Sequence, residues 1–319
     1  FMGASYTDMV QGLLMLAALI AVPIVAITNM GGLDHVTDAV ANVRPDALGL
    51  FAGTTFIGIA SALAWGLGYF GQPHIIVRFM ALRTPKDAKA GRRIGMSWML
   101  LTVVGSISTA FVGVAYFATH PEVSLTDKES AETVFLDLAQ ILFHPFIAGM
   151  ILAAVLAAIM STLSSQLVVC SSALVEDLYG VFVKKKLSAN QSLWLGRAGV
   201  AIVAVIATLM ALDKNNSILS LVEFAWAGFG SAFGPIVILS LYWRKLTLPG
   251  AVSGMVVGAV VTFFWRQIFN LTETIDVYEM IPGFFLAFLV TVVVSLATYE
   301  KNEEIEQEFD KAAELAKAG

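Results

Sequence analysis

Charge is scarce in this chain. Only 13% of its 319 residues are Asp, Glu, Lys or Arg, whereas 58% are hydrophobic. A soluble domain carries about 25% charge and about 45–50% apolar residues. So little charge cannot cover a soluble protein of this size, which excludes an ordinary cytosolic enzyme. Disorder is excluded as well, because it needs the opposite composition. A single cysteine, Cys170, leaves no room for a disulfide framework or a cysteine-based metal cluster. Four scattered histidines argue against a histidine-rich metal site. The net charge of −5 argues against nucleic acid as a partner.

What the chain does have is long apolar runs. A membrane-crossing helix needs about 20 mostly apolar residues. Eight runs meet that length, at roughly 9–30, 49–71, 95–117, 145–172, 193–212, 217–242, 247–265 and 280–299. They are too long for the strands of a membrane β-barrel and do not alternate. The expected fold is therefore an all-α membrane protein in contact with lipid, with eight transmembrane helices. Residues 1–299 form the bundle and residues 300–319 an acidic tail. The first run is no cleaved leader: it is too long, lacks a basic start, and follows Thr7 and Asp8. Because Phe1 stands so close to that run, the chain reads as the C-terminal part of something longer.

Lys and Arg in the short loops set the orientation. One side holds Arg78, Arg83, Lys86, Lys89, Arg92, Arg93, Lys184, Lys185, Lys186, Arg197, Arg244 and Lys245. The other holds Arg44, Lys128, Lys214 and Arg266, among many acids that include Glu122, Asp127, Glu129, Asp213, Glu273 and Asp276. The basic side is read as cytoplasmic, with both ends of the chain there. The tail, Glu300 to Gly319, reads as a solvated helix or a disordered segment. Ala131–Phe143 has helical apolar spacing and is expected on the membrane surface or as a cap on the bundle.

Ionisable groups are nearly missing from the middles of the spans. Glu223, six residues into the sixth, is the nearest exception. No chain of carboxylates runs through the bundle as a proton relay needs. An ion handled here must be held by hydroxyls and freed carbonyls. Such ligands suit a monovalent cation such as sodium better than a divalent ion.

Three segments have that chemistry. Trp65-Gly66-Leu67-Gly68-Tyr69-Phe70-Gly71-Gln72-Pro73-His74 weakens its own helical ladder with three glycines and a proline. Broken helices at membrane depth line cavities or lie buried in protein. Trp65 and Tyr69 share a helix face and can pack on a small apolar ring; an aromatic pair at a helix crossing is the plainer reading. Ala158, Ser161 and Thr162 stack on one face of the fourth span. They form either part of a sodium shell or hydroxyl glue between helices. The sixth span, Phe224 to Pro235, is glycine-rich and proline-broken, as a hinge, a gate or a close contact would be. Gly254 and Gly258 make a small-residue face, most simply for packing. His74 borders the basic segment and is read as solvated.

These residues together resemble the sodium/solute symporter family, and within it the proline-carrying members. Thr7-Asp8 with Gln11 is similar to the end of one family signature. The run Trp65 to Met80 is very like the proline branch. Met160-Ser161-Thr162 with Ser164-Ser165 resembles the sodium-site helix, and Asp177 with Tyr179 follows in the expected place. Trp243-Arg244, Thr247, Gly250-Ala251, Gly254 and Gly258 resemble a second signature. The match runs along nearly the whole chain up to the tail.

The resemblance implies a five-plus-five inverted repeat like that of the amino-acid/sodium symporters, of which this chain holds the last eight of about thirteen helices. The first five would be the missing partner. It implies sodium-coupled import of L-proline across a bacterial inner membrane, with no covalent chemistry. It assigns sodium to the Ala158 carbonyl and the Ser161 and Thr162 hydroxyls. It assigns proline to Trp65, Tyr69 and Pro73. Asp8 is a candidate for coupling; Glu223 is a weaker one taken from its position alone. Another small solute (pantothenate, a sugar or a carboxylate) or a sensor module is the competing expectation.

Overall fold

The computed structural model describes residues 2–120, 131–174, 188–212, 218–269 and 277–318. Lys184, Lys185, Lys186, Lys128, Lys214, Glu122, Asp127, Glu129, Asp213, Glu273 and Asp276 of the charge pattern lie outside the described residues, as do Asp177 and Tyr179 of the family pattern. The side chains of Asp8 and Arg266 do too. Among the described residues every regular element is helical.

Seven helices are long and apolar enough to cross a membrane, and the shorter apolar segment Phe56–Gly71 accompanies them. The second expected span is thus corrected. Residues 49–55 do not join a helix, and the apolar run beyond them is cut into short pieces by the glycines and proline that the sequence places there. The protein is a multi-pass membrane protein. The helix Ala189–Ala211 illustrates why: Trp194, Ile202, Val205, Ile206, Leu209 and Met210 all point outward, a surface stable in hydrocarbon and not in water.

The chain forms two compact units. One comprises residues 1–53 and 92–213, the other residues 54–91 and 214–319.

In the first unit, α1 (Met2–Asn29) packs against α7 (Pro145–Ser172). Between them in sequence come α2 (Leu33–Val43), α3 (Phe56–Gly68), α4 (Pro73–Met80), α5 (Pro85–Thr119) and α6 (Val134–Leu142). α3 and α4 belong to the second unit. Gly31 and Gly32, with φ of 88° and 117°, turn the chain sharply from α1 into α2. The acids around 33–43 suggest an outer loop. The segment is instead a helix whose Val36 and Val40, one turn apart, enter the core beside Val22 and Ala26. α6 takes the capping alternative, with Leu138 and Ala139 fully buried against α1 and α7. α5 is 35 residues long, or roughly 50 Å, against about 30 Å of hydrocarbon. Its first turns carry Lys86, Lys89, Arg92 and Arg93, so the excess length is the charged end. α8 (Ala189–Ala211) begins at a capping box formed by Ser188 and Gln191. It meets α7 where Ser171 Oγ donates to the Gly196 carbonyl at 2.9 Å.

In the second unit, α9 (Ile218–Tyr242), α10 (Leu248–Phe269) and α11 (Met280–Ala297) pack on one another. Gly250, Gly254 and Gly258 of α10 recur every fourth residue on one face. A methyl at Gly250 would strike Ser295 Oγ, at Gly254 Thr291 Oγ1, and at Gly258 the Ser231 carbonyl. The small-residue face is therefore a packing face. The tail forms α12 (Glu303–Ala318), an exposed helix. Its Asp310 accepts from Arg244 at 2.8 Å, so the α9–α10 turn and the tail lie at the same end of this unit.

Both units contain a proline inside a long helix, Pro23 in α1 and Pro235 in α9. Neither breaks its helix, so the expected break in the sixth span is corrected to an intact one. A proline has no N–H to give the carbonyl four residues earlier. Those carbonyls belong to Leu19 and Ser231. Each faces a glycine on a neighbouring helix: a methyl at Gly105 would stand 3.1 Å from the Leu19 oxygen, and one at Gly258 closer still to the Ser231 oxygen. The missing side chain lets a Cα–H approach the freed oxygen.

Candidate functional site

The break after α3 builds the candidate solute site. α3 ends at Gly68, the residues Tyr69–Gly71 tighten into a 3₁₀ turn, Gln72 is extended, and Pro73 starts α4 as its first residue. Glycine is required here by closeness. A methyl on Gly71 would stand 2.7 Å from the Gly230 Cα, and one on Gly230 would stand 2.8 Å from the Gly68 Cα. The broken helix thus lies backbone to backbone against α9.

That contact gathers four aromatic rings. Trp65 stacks on Trp226 with centroids 6.1 Å apart and on Tyr278 with centroids 5.9 Å apart. Tyr69 meets Trp226 edge-on at 4.9 Å. Hydrogen bonds lock the group. Trp226 Nε1 donates to the Trp65 carbonyl at 3.0 Å, and Gln72 Nε2 donates to the Trp226 carbonyl at 3.2 Å. The Tyr278 hydroxyl donates to the Glu223 carbonyl at 2.9 Å, and its N–H to Ser61 Oγ at 3.2 Å. Gln72 is only 3% exposed, whereas Tyr69 is 41% exposed. The cluster has a closed, hydrogen-bonded base and an open aromatic rim. Trp65, Tyr69 and Pro73 are brought together in one unit, as the sequence grouped them. Pro73 is half-buried and serves to start α4.

Trp226, Tyr278 and Gln72 are functional candidates that sequence reasoning passed over. Trp226 is visible in the glycine-rich sixth span, but there it reads as part of a hinge. Tyr278 sits just before the start of α11, where spacing carries no signal. Glu223 enters the cluster through its backbone carbonyl; its side chain is half-buried.

Ala158, Ser161 and Thr162 lie on α7 in the other unit. Ala158 and Ser161 are half-buried and Thr162 is exposed. In other helices Thr109 and Thr291 each bond the carbonyl four residues back, at 2.8 and 2.7 Å, the ordinary resting partner of a hydroxyl on a helix. Asp8 belongs to the first third of α1 in the same unit as Ser161. Gln11, one turn on from Asp8, has a buried Oε1 without a hydrogen-bond partner. His74 is half-buried on α4, not solvated. Burial first, and the Arg78 guanidinium second, hold its imidazole below the usual histidine pKa. Among the described residues no group of three or more His, Cys, Asp or Glu could hold a metal.

Comparison with known proteins gives a consistent picture. The description of the sodium:solute symporter family matches residues 1–258. The chain is 47% identical over 310 residues to the high-affinity proline transporter PutP of Bacillus subtilis, covering 97% of this chain and 64% of that protein. It is 50% identical over 298 residues to the osmoregulated proline transporter OpuE of the same organism, covering 93% and 60%. Against the sodium/proline symporter of Escherichia coli the figures are 43% over 312 residues, 98% and 61%. The chain therefore spans about three fifths of the length of the curated relatives it matches.

Proposed function

We propose a sodium-coupled importer of L-proline, because this chain belongs to the sodium:solute symporter family and its relatives carry proline. The observation that carries the solute reading is the aromatic cluster at the broken α3. Its rim offers ring faces to a small apolar ring, and the backbone of the break offers polar groups to a zwitterion. The ion reading rests on Ala158, Ser161 and Thr162, which supply neutral oxygens on one face of α7.

In this reading sodium binds at α7 and proline binds beside Trp65 and Tyr69. Each ligand favours the state that the other binds, so their affinities rise together. The two residue groups fall in different compact units. No bond is made or broken; the sodium gradient drives the cycle. Asp8 stands in this scheme as a coupling acid near the cytoplasmic end of α1. The basic loops support a cytoplasmic position for the α9–α10 turn, the tail and both chain ends in a bacterial inner membrane, with the broken segment Phe56–Gly71 counted as a crossing.

Uptake of labelled proline by the full protein in proteoliposomes tests the reading. Import that needs an inward sodium gradient supports it. Import indifferent to sodium, or displaced by pantothenate, a sugar or a carboxylate and not by excess unlabelled proline, overturns it.

A further inference from the structure

We propose that the second unit contains a monovalent-cation site between α9, α10 and α11, formed by Ser231, Thr262 and Glu279. Among the described residues, four buried side-chain oxygens or nitrogens lack a hydrogen-bond partner: Gln11 Oε1, Ser231 Oγ, Thr262 Oγ1 and Glu279 Oε1. Three of the four belong to this one contact of three helices. Ser231 is 0% exposed, Thr262 1% and Glu279 6%.

The geometry brings the two hydroxyls together at Gly283, one turn from Glu279. A methyl there would stand 2.6 Å from Ser231 Oγ and closer still to Thr262 Oγ1. Two hydroxyls from different helices thus converge where α11 has no side chain to stand between them. Glu279 lies one turn before Gly283 on the same face of α11, its carbonyl accepting the Gly283 N–H at 3.1 Å. The Ser231 backbone carbonyl, which Pro235 deprives of a helical donor, faces Gly258, one turn before Thr262 on α10.

The chemistry selects the ligand. Two hydroxyls alone could be satisfied by a water. A carboxylate this deeply buried needs a positive partner. Among the described residues no Lys, Arg or His pairs with Glu279. One carboxylate with neutral hydroxyl oxygens is too little charge for a divalent ion, and it suits an ion of single charge. The site uses none of the α7 residues and lies wholly within the second unit, so it does not depend on which solute is carried.

The test is equilibrium binding of labelled sodium ion to the full protein in lipid nanodiscs, with no solute present. Wild type is compared with Glu279→Gln and with Ser231→Ala/Thr262→Val, and choline replaces sodium to keep the ionic strength. Each variant is expected to bind about one sodium fewer per chain, or to bind it at least about tenfold more weakly. Glu279→Gln preserves shape, so it decides the matter if the double variant does not fold. Sodium binding equal to wild type in Glu279→Gln overturns the proposal.

Discussion

The indole N–H of Trp226 donates to the backbone carbonyl of Trp65 over 3.0 Å while the two rings lie 28° from parallel. Trp65 lies in the last turn of α3, just before the 3₁₀ turn Tyr69–Gly71. Trp226 therefore ties down the end of the helix and holds the aromatic cluster in one contact.

Trp226→Phe keeps a ring and removes the donor. Loss of one such hydrogen bond costs about 0.5–1.5 kcal/mol. The Michaelis constant for proline should rise by roughly 2–10-fold, with sodium half-saturation unchanged, in initial-rate uptake by proteoliposomes. An unaltered Michaelis constant would detach Trp226 from the solute site.

Ser161→Ala/Thr162→Ala removes two of the oxygens assigned to sodium. The sodium concentration for half-maximal uptake should rise by about tenfold or more. Proline affinity at saturating sodium should move much less. Wild-type sodium dependence in this double variant would end the assignment to α7.

Gly254→Leu drives a branched side chain into Thr291 on α11. Overpacking of this kind costs about 1–3 kcal/mol. A lower thermal unfolding midpoint in detergent is expected. Gly149→Ala, where nothing lies within 4 Å of the new methyl, should not lower the midpoint.

His74 has a pKa below the ordinary histidine value in the folded state, so the unfolded chain takes up its proton first as the pH falls. Stability from this group is complete above about pH 6.5 and declines below it. Thermal midpoints of the wild type should fall between pH 7.5 and 5.5 by more than those of His74→Asn. Parallel curves for the two proteins would remove His74 from the acid response.

Asp310→Asn breaks the contact between tail and α9–α10 turn. The pair is exposed, at 47% and 57%, so the loss in global stability is small. The measurable effect is local: α12 should be cut faster by a protease added from the tail side. Equal cutting rates would show that the cation–π contact of Arg244 with Phe309, centred 5.5 Å away, suffices.

Much of the architecture was legible because apolar run length is a direct readout of span length. The break at Gly68 to Pro73 was legible for a related reason, since glycine and proline act locally on the helical ladder. Elements whose signal is short were missed. α2 is amphipathic over only 11 residues and sits among acids that look like a loop. The span at 49–71 looked whole because composition does not register where helix begins. Pro235 announced a break that packing prevents. At the site, Trp65 and Tyr69 were readable from their spacing, whereas Trp226 and Tyr278 reach them from more than 150 residues away along the chain. Pairings of that kind are set by the tertiary contact and leave no period in the sequence. The same holds for Ser231, Thr262 and Glu279, each unremarkable alone.

The pairing of a helix-interior proline with a glycine on the adjoining helix has a mechanical consequence. A helix normally resists bending because a bend tears a rung and strands an oxygen in hydrocarbon. At Leu19 and Ser231 that rung is already gone, and the oxygen already rests against a bare Cα. Each unit thus owns one point of high compliance, set in advance and shielded from lipid. Stiffening it would take no more than a change at residue 23 or 235.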